Sequence, residues 1–304
     1  MVENNMTYPS RALRFVVPYA KNGPGDILAR LIGAELSQRL GQPVEFENLP
    51  GAGGTLGTAA VAKAPADGYT LLLMASPHTI NPSLYKSLPY DTLGDFEPVT
   101  LVITMPNVLV VNPSFPVSDV KGLVEHAASH PGQLKYGSSG LGTPSHLGAE
   151  LLKTMTGVDI RHVQFSGHAA AGEALRNGEV HLLFDAMLLA LPETRAGKFK
   201  ALGVTSAKRS ALAPDIPTID ESGLPGFDFS PGVGVLVKSA TPPEIVTRLY
   251  QEIRAILNAP DVAKRLSADG AQIVANEPRD FGQYIREEIA KWAKVVKAAG
   301  ITVG

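Results

Sequence analysis

Short apolar runs alternate along the chain with longer amphipathic stretches, and glycine-rich turns separate them. Residues 13–20 form a compact apolar run, whereas residues 26–40 place apolar side chains every three or four positions before Gly41. The first pattern predicts a buried strand and the second a helix that ends at a glycine. Residues 44–49 and 66–76 continue this order as a second and a third strand. Strands separated by helices pair in parallel through right-handed crossovers, so we predict an α/β fold with mostly parallel sheets.

The middle of the chain repeats this order. A long β-rich stretch at residues 98–112 is interrupted at Pro106, and residues 210–226 form a connector rich in proline and glycine. After residue 238 the pattern is helical. Further strands are predicted at residues 134–139, 160–165, 180–186, 199–206 and 232–238, and further helices at residues 118–130, 145–156 and 166–178.

Composition excludes several classes of function. Of the 304 residues, 18% are charged and the formal net charge is −2, so no broad cationic surface is available to follow nucleic-acid phosphates. Cysteine is absent, which excludes disulfides, thiolate metal sites and cysteine nucleophiles. His126 and His130 are four residues apart, but no glutamate or third ligand accompanies them, and a solvated helix end explains them better than zinc. We therefore predict neither a metal nor a cofactor.

Four glycine-containing turns each follow a predicted strand and precede a predicted helix. They lie at residues 19–26, 48–55, 137–146 and 165–170. In α/β sheets this is the carboxyl edge, where ligands collect, and each helix start offers unpaired N–H groups to an anion. Glycine is also common in purely structural turns, and the turn at residues 48–55 best fits that alternative. Several such turns in each half of the chain favour a cleft between two domains.

The loop at residues 137–146 fits none of the common catalytic or nucleotide motifs. Thr143 and Pro144 stand where a phosphate loop needs Lys followed by Ser or Thr, and Ser145 replaces the third glycine of a dinucleotide fingerprint. The loop also differs from the elbow that exposes a nucleophilic serine. A hydrolase with distant His and Asp partners stays open as an alternative.

Four polar side chains near these turns each allow two interpretations. Asp185 ends an apolar strand at the ligand edge, where it can cap a helix or line a site. His146 and His168 lie at helix starts and can donate to an anion or bond only to backbone. Lys21 is the only lysine or arginine inside the four turns, and either an ion pair with ligand or plain exposure explains it.

The sequence resembles a known receptor family over nearly its whole length. The resemblance is to the substrate-binding receptors of tripartite tricarboxylate transporters, the Bug-type periplasmic solute receptors. The first fourteen residues contain no apolar core and no cleavage site, so they are not a secretion signal, and the resemblance implies that one has been removed. The matching stretches are residues 17–20, 23–73, 81–91, 108–124, 142–167, 202–226 and 287–301.

The resemblance implies a two-domain periplasmic-binding-protein fold of the Venus-flytrap type, which the chain crosses twice. Domain 1 would comprise residues 1–105 plus 231–304, and domain 2 residues 106–230, with the ligand cleft between them. The implied protein is a periplasmic monomer that captures a small carboxylated solute for membrane transporter subunits. It would have no catalytic residue, no cofactor and no nucleic-acid partner.

The same resemblance places ligand contacts on both sides of the cleft. Three departures from the family pattern, at Lys21, Asn22 and Pro24, and the sequence of residues 165–167 prevent transfer of a particular carboxylate from any relative. An α/β hydrolase of carboxylate esters and a ligand-sensing receptor for a signalling partner stay open as alternatives. The implied contacts are Tyr19, Asn22, Gly23, Gly25, Asp26, Ala75, Ser76, Ser138, Ser139, Gly140, Thr143, Ser145, Ser166, Gly167, His168, Ala169 and Asp185.

Overall fold

The computed structural model describes residues 8–140 and 142–301, and it contains two β-sheets. The first sheet has the strand order β11-β4-β10-β3-β1-β2, and the second has the order β7-β6-β8-β5-β9. The strands are β1 Leu13–Val17, β2 Val44–Asn48, β3 Thr70–Met74, β4 Phe96–Thr104, β5 Asn107–Val111, β6 Lys135–Ser138, β7 Arg161–Gln164, β8 Leu182–Ala186, β9 Lys200–Val204, β10 Gly232–Lys238 and β11 Gln272–Ile273.

Helices connect most of these strands and cover the sheets. Helices α3 and α7 were not predicted, because Pro82 and Pro192 lie inside them and proline weakens a helical pattern. Within the described ranges, no helix is long and apolar enough to span a membrane. The helices are α1 Pro24–Leu40, α2 Thr55–Ala62, α3 Pro77–Leu84, α4 Val120–Ser129, α5 Pro144–Thr156, α6 His168–Arg176, α7 Met187–Arg195, α8 Pro243–Leu257, α9 Pro260–Ala268 and α10 Pro278–Ala299.

Both sheets are mixed, which corrects the prediction of mostly parallel sheets. Strand β1 pairs in parallel with β2 and β3, and β6 pairs in parallel with β7 and β8. Strand β10 is antiparallel to β3 and β4, and β5 is antiparallel to β8 and β9. The reason is that β5 and β10 are the first strands after the chain passes into the other sheet. Each begins at the edge where the neighbouring strands end, so each runs opposite to those neighbours.

The chain passes between the sheets twice, and the carboxyl edges of both sheets lie at these crossings. The first crossing separates Thr104 at the end of β4 from Asn107 at the start of β5. Gly232, which opens β10 after the second crossing, pairs with Thr104, and Asn107 pairs with Ala186 at the end of β8. The carboxyl ends of the strands in one sheet therefore face those of the other.

The last helix packs against elements of both sheets. Helix α10 contacts α3 and β4 beside the first sheet and α5 beside the second. Its Trp292 is fully buried, as the sequence predicts, and its ring lies 5.0 Å from that of Phe229 in the second crossing. Trp292 shares one apolar cluster with Tyr136 of the second sheet, Leu147 of α5 and Ile80 of α3. Helix α10 thus ties the two halves together.

Candidate ligand-binding site

A buried carboxylate shapes the turn between β1 and α1. Asp26 is inaccessible to solvent, and its Oδ2 accepts the backbone N–H of Asn22 at 2.8 Å and the Nε–H of Arg30 at 2.9 Å. Its Oδ1 accepts the side-chain amide of Asn48 at 2.9 Å. The hydrogen bond from Arg30 is the main reason that the pKa of Asp26 falls to about 2. The carboxylate is thus engaged by protein groups and positions the turn.

Gly25, at the start of α1, brings the backbone close to the Tyr19 ring. Gly23 precedes α1 and offers no side-chain cap to its first turn. A Cβ atom added to Gly25 would lie 3.2 Å from both Leu73 Cδ2 and Tyr19 Cδ2. The carbonyl of Tyr19 accepts the side-chain amide of Asn48 at 3.1 Å, and packing around the phenol raises the pKa of Tyr19. The ring is therefore fixed beside the start of α1.

Ala75 and Ser76 follow β3 at the same edge of the first sheet. Both are partly exposed, and their carbonyls begin α3 by accepting the N–H of His78 at 2.9 Å and that of Thr79 at 3.1 Å. The Ser76 side chain forms no capping hydrogen bond to α3. The carbonyl groups of this pair thus accept the first hydrogen bonds of α3, and both residues lie just after the end of β3.

Hydroxyl groups hold the loop that follows β6 in the second sheet. The buried Ser145 Oγ accepts the Ser139 N–H at 3.0 Å and lies 3.0 Å from the hydroxyls of Ser139 and Thr143. Thr143 Oγ1 donates to the Gly140 carbonyl at 2.6 Å. Gly140 has a φ of +142°, a conformation that residues with side chains rarely adopt. The loop is an assembly of neutral donors and acceptors.

Two histidines form hydrogen bonds with this loop. Ser138 is fully buried, and its Oγ lies 2.6 Å from His162 Nε2 and accepts the Gly140 N–H at 3.2 Å. His146 Nδ1 accepts the backbone N–H of Gly142 at 3.0 Å. His146 thus bonds to backbone, which is one of the two interpretations that its sequence position allows.

An imidazole and a buried carboxylate form a pair at the start of α6. His168 Nδ1 lies 2.8 Å from Asp185 Oδ1, which also accepts the Ala186 N–H at 3.0 Å. The His168 side chain is 42% exposed and that of Asp185 is 5% exposed. The hydrogen bond to Asp185 raises the pKa of His168, so the pair favours an imidazolium. Its neighbours Ser166 and Ala169 are exposed, and Gly167 has a φ of +146°.

Helices α5 and α6 begin at the edge of the second sheet with neither a side-chain cap nor an acidic residue in the first turn. Helix α1 also has no cap, but Asp26 lies in its first turn, as acidic residues do in the uncapped helices α8, α9 and α10. Asp119 caps α4 through the Gly122 N–H at 2.7 Å. Because uncapped N–H groups carry partial positive charge, the edge at α5 and α6 suits an anion.

The predicted site residues lie at two facing edges. Residues 19–26 and 75–76 follow strands of the first sheet. In the second sheet, Ser138 and Asp185 lie at the ends of β6 and β8, and residues 139–140, 143, 145 and 166–169 follow β6 and β7. The loop after β6 reaches across, because a Cβ atom on Gly142 would lie 3.8 Å from Leu84 Cδ1 of α3.

Sequence reasoning missed three residues that shape the site. Arg30 pairs with Asp26 at the i,i+4 spacing of a helix, a signal that was readable in the sequence. Asn48 at the end of β2 donates to Asp26 of α1, and His162 of β7 contacts Ser138 of β6. No local sequence pattern marks either residue. Lys21 is exposed, in agreement with the simpler of its two interpretations.

The chain is similar to known proteins over nearly its whole length. The model of the tripartite tricarboxylate transporter family receptor matches residues 28–301. The protein BugT of Bordetella pertussis is 36% identical over 97% of this chain and 91% of its own length. The structure of R. palustris Rpa4515 with adipate has a TM-score of 0.78 and 38% identity over 97% of this chain and all of that one. MatC from Rhodopseudomonas palustris with bound malate has a TM-score of 0.74 and 38% identity over 95% of this chain and all of that one. The chain therefore belongs to the tripartite tricarboxylate transporter receptor family.

Proposed function

We propose that the protein is a periplasmic receptor that captures a small carboxylated solute between its two sheets and delivers it to membrane transporter subunits without altering it. The observation that carries the proposal is that α5 and α6 begin at the edge of the second sheet with neither a side-chain cap nor an acidic residue in the first turn. Two related proteins support it, because their structures contain the dicarboxylates adipate and malate.

Neutral donors are sufficient for this task. A hydrogen bond to a charged group contributes about 1.5–3 kcal/mol, and a helix start adds about 0.3–1 kcal/mol. Micromolar affinity requires about −8 kcal/mol, so several such contacts hold a carboxylate even after the cost of ordering the loops. Arg30 offsets the charge of Asp26, so that this buried carboxylate does not repel the ligand strongly. An imidazolium at His168 adds a charged donor at the second edge.

The arrangement offers little to a hydrolase. Ser138 and His162 have the short contact of a nucleophile and its base, with 2.6 Å between Ser138 Oγ and His162 Nε2. Ser138 is fully buried, however, so its hydroxyl cannot reach a substrate carbonyl. His168 and Asp185 resemble a base and its orienting group, and the described hydrogen bonds place no serine hydroxyl on His168. Capture without chemistry fits these contacts better.

A thermal-shift panel tests the proposal. Adipate, malate, citrate and glutamate are compared with maltose and AMP, and any acid present at a hundred times its Kd should stabilise the protein by about 2.7 kcal/mol. Mass spectrometry of the incubated acids and of their methyl esters should recover each compound unchanged. A response confined to maltose or AMP, or hydrolysis of an ester, would contradict the proposal.

A further inference from the structure

Two stacked imidazole rings lie directly behind the loop that follows β6. The ring centroids of His146 on α5 and His162 on β7 are 4.5 Å apart and the rings are inclined by 28°. The ring of Tyr136 on β6 stacks on His162 at 4.8 Å. His146 is 3% exposed, and His162 is partly buried. Neither histidine is among the ligand contacts that the sequence predicts.

Each ring holds one point of the loop through a single nitrogen. His146 Nδ1 accepts the Gly142 N–H, and His162 Nε2 contacts Ser138 Oγ, which accepts the Gly140 N–H. A ring nitrogen that accepts a hydrogen bond carries no proton, so His146 is neutral in this arrangement with its proton on Nε2. Protonation of Nδ1 would replace this hydrogen bond with two opposed donors.

Burial outweighs the one nearby charge that favours an imidazolium. The Glu150 carboxylate of α5 favours the charged form of both rings, but it also accepts hydrogen bonds from the Tyr136 hydroxyl and, at 2.7 Å, from Lys153 Nζ, whose positive charge opposes it. Burial, with a further contribution from the neighbouring ring, lowers the pKa of His146 to about 4. Burial likewise lowers the pKa of His162. The folded loop thus prefers both rings uncharged.

We infer that His146 and His162 are positioning residues that hold the loop in its ligand-accepting shape, and that this shape requires a neutral His146 ring, so that acid loosens the loop and weakens ligand binding. The statement about the ligand rests on the proposed function, whereas the response of the loop to acid does not. At His168 acid has the opposite effect on ligand binding. Asp185 favours the imidazolium of His168, and acid increases the fraction of this charged donor. The two responses must therefore be separated by mutation.

Hydrogen exchange of the Gly142 amide measures how often the loop opens, and the measurement needs no ligand. If the open loop restores an ordinary histidine pKa of about 6.5, the protection factor of this amide should fall by about tenfold between pH 7 and pH 5. In the double variant His146→Asn, His162→Gln, amide groups replace the ring nitrogens without titrating, and the protection factor should change by less than about twofold over the same range. His146→Leu removes the acceptor and should lower protection at both pH values.

A second stacked pair supplies the matched control. His126 and His130, with centroids 4.4 Å apart, lie at the end of α4 near Phe115 and His181, at the edge of the sheet away from the loop. The variant His126→Asn, His130→Asn should retain the tenfold response. A protection factor that is flat with pH in the wild type, or that falls equally in the His146→Asn, His162→Gln variant, overturns the inference.

Calorimetric titration with adipate and with malate extends the test to the ligand. Between pH 6 and pH 3.5 the wild type should lose more affinity than the His146→Asn, His162→Gln variant by about fourfold, because a pKa of about 4 keeps the His146 ring neutral at higher pH. Protonation of His168 and of the ligand occurs with both proteins and cancels in the comparison. Equal losses overturn the link between loop and ligand. If no carboxylate binds while the Gly142 response is present, the proposed function fails and the positioning roles of the two histidines stand.

Discussion

The turn after β1 and the loop after β6 occupy corresponding places at facing sheet edges, yet different forces hold them. The turn is organised by the buried carboxylate of Asp26, which Arg30 keeps ionised. The loop is organised by hydroxyls around Ser145 and by the neutral rings of His146 and His162. One side of the cleft is therefore held by the ion pair of Asp26 and Arg30, which persists over the physiological pH range. The other side depends on groups whose charge can change.

The largest expected effect comes from removing the charge of the turn. Asp26→Ala leaves the partly exposed Arg30 and the Asn48 amide without their shared acceptor, and loss of the hydrogen bonds of this buried carboxylate costs up to about 3 kcal/mol. Urea denaturation should show this loss of unfolding free energy. The control Asp67→Ala, which breaks an exposed pair with Arg11, should cost less than about 1 kcal/mol. Equal losses in the two variants would show that the Asp26 network contributes no more than a surface ion pair.

Gly140→Val should affect ligand binding rather than stability. A branched side chain at a φ of +142° forces the loop to change where the backbone approaches the ligand, and we expect about a hundredfold weaker carboxylate binding, or about 2.7 kcal/mol. Gly157→Val is the matched control, because Gly157 also has a positive φ but lies at the far end of α5 with no atom within 4 Å of an added Cβ. Calorimetric titration should show strong loss in the first variant and little in the second. Comparable affinities for both would refute the assigned place of the loop.

Acid should weaken the turn by a calculable amount. The pKa of Asp26 is lowered to about 2 in the fold, so its contribution is complete above an ordinary pKa of about 4 and disappears as the pH falls through about 2. The pKa difference corresponds to about 2 kcal/mol of unfolding free energy. Thermal denaturation of the wild type and of Asp26→Asn between pH 5 and pH 2 checks this, since their difference should shrink as the pH falls. A constant difference would mean that Asp26 is not ionised in the fold.

The smallest effect is expected for the exposed cation of the turn. Lys21→Ala should weaken carboxylate binding by less than about tenfold, because an exposed ion pair contributes only about 0–1 kcal/mol. Titration of Lys21→Ala beside Lys63→Ala, a change at the end of α2, measures the difference directly. Complete loss of binding in Lys21→Ala would show that recognition depends on a salt bridge and not on neutral donors.

The sequence predicted those features that depend on neighbouring residues. The strands β1 to β10, the helix end at Gly41 and the break at Pro106 follow from local patterns, and the structure confirms them, whereas β11 lies in a region predicted to be helical. The direction of β5 and β10 depends on how the chain enters each sheet, which no local pattern records.

The site shows the same limit. Glycine turns are visible in the sequence, but the contact of Ser138 with His162 joins residues 24 positions apart on paired strands. That of Asn48 with Asp26 joins residues 22 positions apart. Such contacts exist only once the strands have aligned, so the groups that hold the turns could not be identified before the fold was known.

The long final helix gives the molecule an optical signal of its own. Trp292 is the single tryptophan of the chain, and it packs edge-on against Phe229 in the segment that returns the chain to the first sheet. Its indole N–H donates to Glu288 at 2.8 Å, so both the ring and its polar atom have defined surroundings. A rotation of the two halves about the crossings would change those surroundings. The emission of one native chromophore would then report that rotation in the unlabelled protein.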